Sequence, residues 1–281
     1  MKQISILGCG WLGLPLAKAL KVNGFSVKGS TTTQSKFSTL EAFGINPFLI
    51  TLSAVESALD SKNGTGSIED FLSGSQTLVI DIPPQLRGKN SDSSAAGEKI
   101  FVEKIKNLIP YLEKSTVENV LFVSSTSVYG EVDGSITEET IPKPDTESGK
   151  QLLEVEILLQ NNPNFKTTIL RFGGLIGEDR NPVRFLAGKF NLENPETPIN
   201  FIHQMDCIGI ILKIIFIDSW GKIYNGVSPF HPTREAYYTQ RAVELALPLP
   251  HFDHSKPSKG KVVLSEKVEK VLGYSFIKNN L

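Results

Sequence analysis

Cysteine is scarce: only Cys9 and Cys207 occur in 281 residues, far apart and in no recognisable spacing. That excludes an internal disulfide framework and a cysteine-rich metal site, and suits a reducing compartment. An excess of one charge is also missing. Twenty-nine basic residues meet 30 acidic ones, for a net charge of −1 and a pI of about 6.5, so bulk charge gives no pull toward nucleic acid or an anionic membrane. Long apolar runs are absent too. The most apolar late segment, 208–217, is too short to span a bilayer and contains Lys213; it reads as a buried helix. The start imitates a signal peptide, with Lys2 before an apolar stretch to Leu20, but Gly8, Gly10 and Gly13 interrupt it and Lys18 and Lys21 follow. The expectation is a cytoplasmic chain with no membrane or nucleic-acid partner. No internal repeat is visible, and the Ser- and Gly-rich stretches at 61–67 and 88–97 read as loops.

What is present is alternation. Apolar strands at 3–7, 25–29, 47–50, 77–81, 118–125 and 166–172 are separated by helical patterns at 12–23, 33–43, 97–114 and 147–161. Strands alternating with helices predict an α/β fold: a doubly wound parallel sheet with right-handed crossovers. A hydrophobic content of 40% can fill one large domain or a domain with a lobe. After Arg171 the rhythm breaks into short pieces, with strands at 198–202 and 222–227 and a helix at 232–247. The expected division is a dinucleotide-binding domain over 1–175, with 199–227 partly returning to it, and a smaller substrate lobe over 176–281.

"ILGCGWLG" places Gly8-x-Gly10-x-x-Gly13 between the first strand and the first helix. There Gly8 makes the tight turn, Gly10 lets a pyrophosphate approach, Gly13 lets helix and strand pack closely, and the amides at Trp11 and Leu12 open the helix toward the phosphates. An NAD site usually has an acid about 20 residues on. Here "KGSTTTQSK" offers Ser30, Thr31, Thr32 and Lys36 and no acid before Glu41, which favours the 2′-phosphate of NADP over NAD. Asp81 ends the fourth strand at the same edge, placed to bond a ribose, act as a base or cap the turn before Pro83-Pro84.

"VLFVSSTSVYGE" (120–131) ends a buried strand in hydroxyls, at the strand end where this architecture binds ligands. With the glycine loop, "LRFGGLIG" (170–177), "INFIHQMD" (199–206) and "IYNGVSP" (223–229), it resembles the extended short-chain dehydrogenase/reductase family, the NAD(P)-dependent sugar epimerases and dehydratases. "GCGWLG", "GSTTT", "SGK" and "HPTREAYY" are similar to its atypical YeeZ-like branch of nucleoside-diphosphate-sugar epimerases. The resemblance implies a Rossmann-like fold, Ser124 near the cofactor and Ser125 or Thr126 holding a substrate hydroxyl, and it permits a homodimer built through helices beside the active site. It also implies a tyrosine with a lysine four residues on. In "PDTESGKQLLEVE" those places hold Ser148 and Leu152. A serine hydroxyl titrates far above a phenol, so Ser148 is no chemical replacement.

The proton carrier must then lie elsewhere. Tyr129 follows the serine strand. His203 and Asp206 stand one helical turn apart and could pair as an oriented base. Tyr274 and Lys278 repeat the family spacing, but in what reads as a packed tail. "HFDH" (251–254) is too sparse to assign a metal. For an anionic substrate, such as a nucleotide sugar, Arg180, Arg184 and Arg234 offer guanidinium groups and Tyr237 and Tyr238 offer rings for stacking. Three readings stand: an NADP-dependent epimerase, dehydratase or oxidoreductase on a nucleotide sugar or related polyol; a reductase of small carbonyls; and a non-catalytic NADP(H) sensor.

Overall fold

The computed structural model describes residues 2–54, 66–84 and 99–278. The loops expected at 61–67 and 88–97 lie outside these residues, except for Gly66 and Ser67.

Seven strands form one wholly parallel sheet. They are β1 (Gln3–Leu7), β2 (Ser26–Thr31), β3 (Asn46–Leu49), β4 (Thr77–Ile80), β5 (Asn119–Ser125), β7 (Lys166–Phe172) and β10 (Ile223–Gly226), in the order β10-β7-β5-β4-β1-β2-β3. This is the doubly wound arrangement expected from the alternation, with "KIYNGV" added at the far edge. The chain leaves β1 in one direction and later returns to β4 on its other side. The crevice beyond the carboxyl ends of β1 and β4 is therefore the topological switch point, where such sheets bind ligands.

Both faces of the sheet are covered, because successive strand residues point to opposite sides. On one face, Leu78, Ile80, Val120, Phe122 and Ile169 pack with helices α3 (Ile68–Leu72), α4 (Ile100–Glu113) and α5 (Glu147–Gln160). On the other, Ile4, Ile6, Val79, Leu121, Leu170 and Phe172 pack with α1 (Gly13–Val22) and α6 (Gln204–Phe216). Val268 and Leu272 of α8 (Glu266–Leu272) and Phe276 join this second core, so the end of the chain sits on the main sheet and not within the lobe to which the sequence assigns it.

The strand expected at 198–202 forms later, as β9 (Phe201–His203), and pairs with β8 (Gly174–Ile176) in a sheet separate from the main one. A second two-stranded sheet joins β6 (Gly134–Ile136) to β11 (Lys261–Val263). The lobe has a small core of its own, formed by Ile176, Val183, Ile199 and Tyr237, Tyr238 and Ala242 of α7 (Arg234–Glu244). Among the described residues no helix is long and apolar enough to cross a membrane.

Candidate cofactor and active site

The glycine loop is built by contacts that exclude side chains. Gly8 has φ +108°, and a Cβ there would stand 2.3 Å from the carbonyl oxygen of Asp81. A Cβ on Gly13 would stand 2.1 Å from the carbonyl oxygen of Gly8. Gly10 differs. Among the described residues no atom lies within 4 Å of its Cβ position, which leaves open the approach a diphosphate would use. The loop fits a dinucleotide on this ground.

Ser30 holds the loop from β2. Its hydroxyl accepts from the amide of Gly8 at 2.9 Å, and its side chain is buried. It thus serves as a scaffold of the loop. Thr31 is likewise buried and caps its own turn, accepting from the amide of Thr33 at 3.1 Å. Thr32 and Lys36 are exposed and remain available to a 2′-phosphate.

Helix α1 has no capping side chain and no acid in its first turn. Asp81 supplies the missing acceptor from the end of β4, bonding the amide of Gly13. Burial dominates over that bond and pushes its carboxyl up to about 7. The same burial raises the neighbouring Cys9 thiol to about 12, so this cysteine is an inert apolar residue.

Beyond β5 the hydroxyls divide. Ser124 is buried and donates to Glu156 on α5 at 2.6 Å. It belongs to a buried network, in which Arg171 of β7 bonds Glu156 at 2.6 Å and the Tyr129 hydroxyl at 2.9 Å. Tyr129 in turn donates to Asn225 at 2.8 Å. The phenol is 1% exposed and its pKa is raised, chiefly by burial. Ser124 and Tyr129 therefore do not face a cofactor or substrate; both are consumed in tying β5, β7, β10 and α5 together. Ser125 is part-exposed, accepts from the amide of Ser127 at 3.2 Å and starts the turn Thr126–Tyr129. Thr126 is 8% exposed, which leaves Ser125 as the more accessible hydroxyl. On α5, Leu152 is 4% exposed in the core and Gly149 packs on the carbonyl of Ser127. At Ser148 and Leu152 the helix offers neither a phenol nor an ammonium.

The structure does supply a cation there that the sequence reading missed. Lys261, on β11, donates to the carbonyl of Gly130 and, at 3.4 Å, to that of Thr126. Its pKa is lowered, chiefly by burial, with Asp145 and Glu131 opposing. No local signal marks it, since it arrives through the β6–β11 pairing.

His203 and Asp206 do not form the expected pair. His203 caps α6, its Nδ1 accepting from the amide of Met205 at 3.2 Å, and its pKa is lowered, chiefly by burial. Asp206 accepts from the Tyr274 hydroxyl at 2.8 Å and the amides of Ile277 and Lys278 at 2.7 and 3.1 Å. It pins the C-terminal tail, so Tyr274 and Lys278 serve docking.

Of the expected substrate groups, Tyr237 is 3% exposed and packs edge-on to Phe201 at 5.2 Å, so it builds the lobe core and cannot stack on a ligand. Tyr238 is buried beside it. Arg234 donates to the carbonyl of Glu193 and lies over Phe252. Arg184 is exposed on the turn Pro182–Phe185. Arg180 does not join them: it lies over the ring of Trp11, in the glycine loop. The histidines of "HFDH" also part. His251 stacks on Phe190 at 4.4 Å, and His254 joins Glu196 and Glu235 in a mainly exposed group. A cavity of about 640 Å³ opens at the amino ends of the strands, beside Lys2, Gln76, Asn119, Lys166 and Trp220. It lies on the wrong edge for the cofactor.

The chain is 35% identical to Protein YeeZ of Escherichia coli (strain K12) over 277 residues, which is 98% of this chain and 96% of that protein. The chain belongs to the YeeZ family. No family model matches it. Two solved structures extend the likeness for the fold. One is a short-chain dehydrogenase/reductase superfamily protein from Agrobacterium tumefaciens with bound NAD, with TM-score 0.76, 19% identity, and coverage of 98% of this chain and 92% of that one. The other is the UDP-glucuronic acid 4-epimerase of Bacillus cereus in complex with NAD, with TM-score 0.76, 16% identity, and coverage of 97% and 91%. This YeeZ-family chain has the same Rossmann-like frame.

Proposed function

We propose that this protein is an NADP-dependent enzyme acting on a nucleotide sugar or a related polyol by epimerase or dehydratase chemistry. The observation that carries the reading is the open approach over Gly10 at the β1–β4 switch point, with the Ser125 hydroxyl ending the neighbouring strand β5. The NAD-bound relatives, one of them named for a UDP-sugar, support the same substrate class. When bound, NADP would supply reversible hydride transfer. The backbone at Gly10 would accept its diphosphate, and Thr32 and Lys36 would hold the 2′-phosphate. Ser125 would donate a hydrogen bond to the reacting substrate oxygen. It is a poor base unaided, so a substrate hydroxyl or water must complete the proton path.

A second reading has its own support. Leu152 lies in the core, and the Tyr129 hydroxyl is committed to Arg171 and Asn225. A non-catalytic NADP(H) sensor needs neither residue. The deciding experiment mixes excess protein with NADP and a panel including UDP-glucose and UDP-glucuronic acid, and follows nicotinamide absorbance through one turnover. A burst of reduced nicotinamide is the expected result. A flat trace, with NADP shown to be bound and with unequal affinities for NADP and NADPH, moves the reading to the sensor.

A further inference from the structure

Residues Gly177 and Arg180 close a tight turn through two backbone hydrogen bonds, each of 3.1 Å. The turn lies directly on Trp11. The Trp11 indole N–H donates to the Asp179 carboxylate at 2.8 Å. The Arg180 guanidinium carbon stands 5.0 Å from the ring centroid. A Cβ on Gly177 would come within 2.8 Å of the indole, so the close seat depends on glycine there. Gln204 also donates to the Trp11 carbonyl, at 2.6 Å. A turn just after β8 is thus fastened to the glycine loop, which is shaped for a diphosphate.

The charges of the turn are not balanced locally. Asp179 is engaged by the indole, and Glu178 is exposed. Arg180 is exposed and forms no ion pair among the described residues. Stacking on Trp11 holds the planar guanidinium at low conformational cost, with no hydrogen bond from it among the described residues. A guanidinium in that state, beside amides that attract anions, is suited to bidentate contact with a phosphate.

We propose that Arg180 clamps the diphosphate of the bound dinucleotide, with Trp11 as its seat, rather than contacting the substrate. The inference rests on the dinucleotide reading and adds a residue to it. It also makes Asp179 and Arg180 electrostatic opponents in one turn: the first weakens anion binding and the second strengthens it.

The test uses full-length protein carrying Trp220→Phe, which leaves Trp11 as the only tryptophan; Trp220 lies at the opposite edge of the sheet. NADP binding is measured by calorimetry and by Trp11 emission. Arg180→Ala should weaken binding about tenfold to a hundredfold, and Arg180→Lys should recover part of the loss. Asp179→Asn keeps an acceptor for the indole and should tighten binding. Calorimetric binding without any change in Trp11 emission overturns the clamp. So does unchanged binding in Arg180→Ala, or weakened binding in both Arg180→Ala and Asp179→Asn, which would mark a merely structural turn. If the parent protein binds neither NADP nor NAD by calorimetry, the dinucleotide reading itself falls and the clamp with it.

Discussion

The ammonium of Lys261 donates to the carbonyl of Gly130, fastening the turn after the serine-rich strand to a strand from the end of the chain. The anchor is half desolvated and forms no ion pair among the described residues. Replacing it by methionine keeps the stem and removes the donors. Lys261→Met should lose about 1–3 kcal/mol in urea unfolding, the cost of leaving buried carbonyls unbonded, and Lys261→Arg should recover part of it. Equal stability in Lys261→Met would show that the carbonyls find water instead.

Glu156 and Arg171 form a buried pair, their side chains 1% and 3% exposed. Removing one partner strands the other charge. Arg171→Met should cost about 3–5 kcal/mol, whereas the double change with Glu156→Leu should restore much of that loss, because packed apolar groups need no counter-charge. The measurement is a double-mutant cycle by urea unfolding. Additive losses would mean that the pair is not coupled.

Tyr129 separates two roles that the sequence leaves together. Tyr129→Phe removes one hydrogen bond each from Arg171 and Asn225 and should cost about 1–3 kcal/mol of stability, while NADP affinity stays as in the native protein. Were the phenol the proton carrier, the variant would instead keep its stability and lose single-turnover hydride transfer.

These cases show what the sequence can carry. The parallel sheet was legible because β1 and β7 are apolar runs bounded by turn residues, and the glycine loop because its spacing encodes close approaches at Gly8 and Gly13. Helix α3 was missed although its capping box, Ser67 with Asp70, stands in the sequence; with five residues it has no apolar period to read. The side chains around β5 were harder. Tyr129 and Ser124 look like site residues because they sit at a strand end, yet their partners Arg171, Glu156 and Asn225 come from three other elements. Lys261 reaches the site only through a strand pairing, and Arg180 reaches Trp11 only through a tertiary contact. Long-range pairings of this kind leave no local period or spacing.

Lys36 and Thr32 are exposed polar groups just after β2. If they read the 2′-phosphate, Lys36→Glu should weaken NADP about tenfold or more and change NAD far less, since one charge-assisted contact of this kind is worth about 1.5–3 kcal/mol. Calorimetric titration with both dinucleotides checks it. A parallel loss for NAD would mean that Lys36 contacts a part common to both.

Asp81 makes the glycine loop sensitive to protons. Its carboxyl titrates near 3.8 in the unfolded chain and is pushed up to about 7 in the fold by burial, against the bond from Gly13. Between those values the unfolded chain releases a proton that the folded chain keeps, so this group's contribution to stability falls as pH rises and then stays level above about 7. Asp81→Asn retains an acceptor for the Gly13 amide and has no charge to desolvate. It should match the native protein near pH 4 and exceed it by about 2–4 kcal/mol at pH 8 in urea unfolding. The same proton is linked to the cofactor. A diphosphate beside the loop favours the neutral carboxyl, so NADP affinity of the native protein should fall as pH rises through 7, and that of Asp81→Asn should not. Identical pH profiles for the two proteins would mean that the carboxyl does not feel the diphosphate.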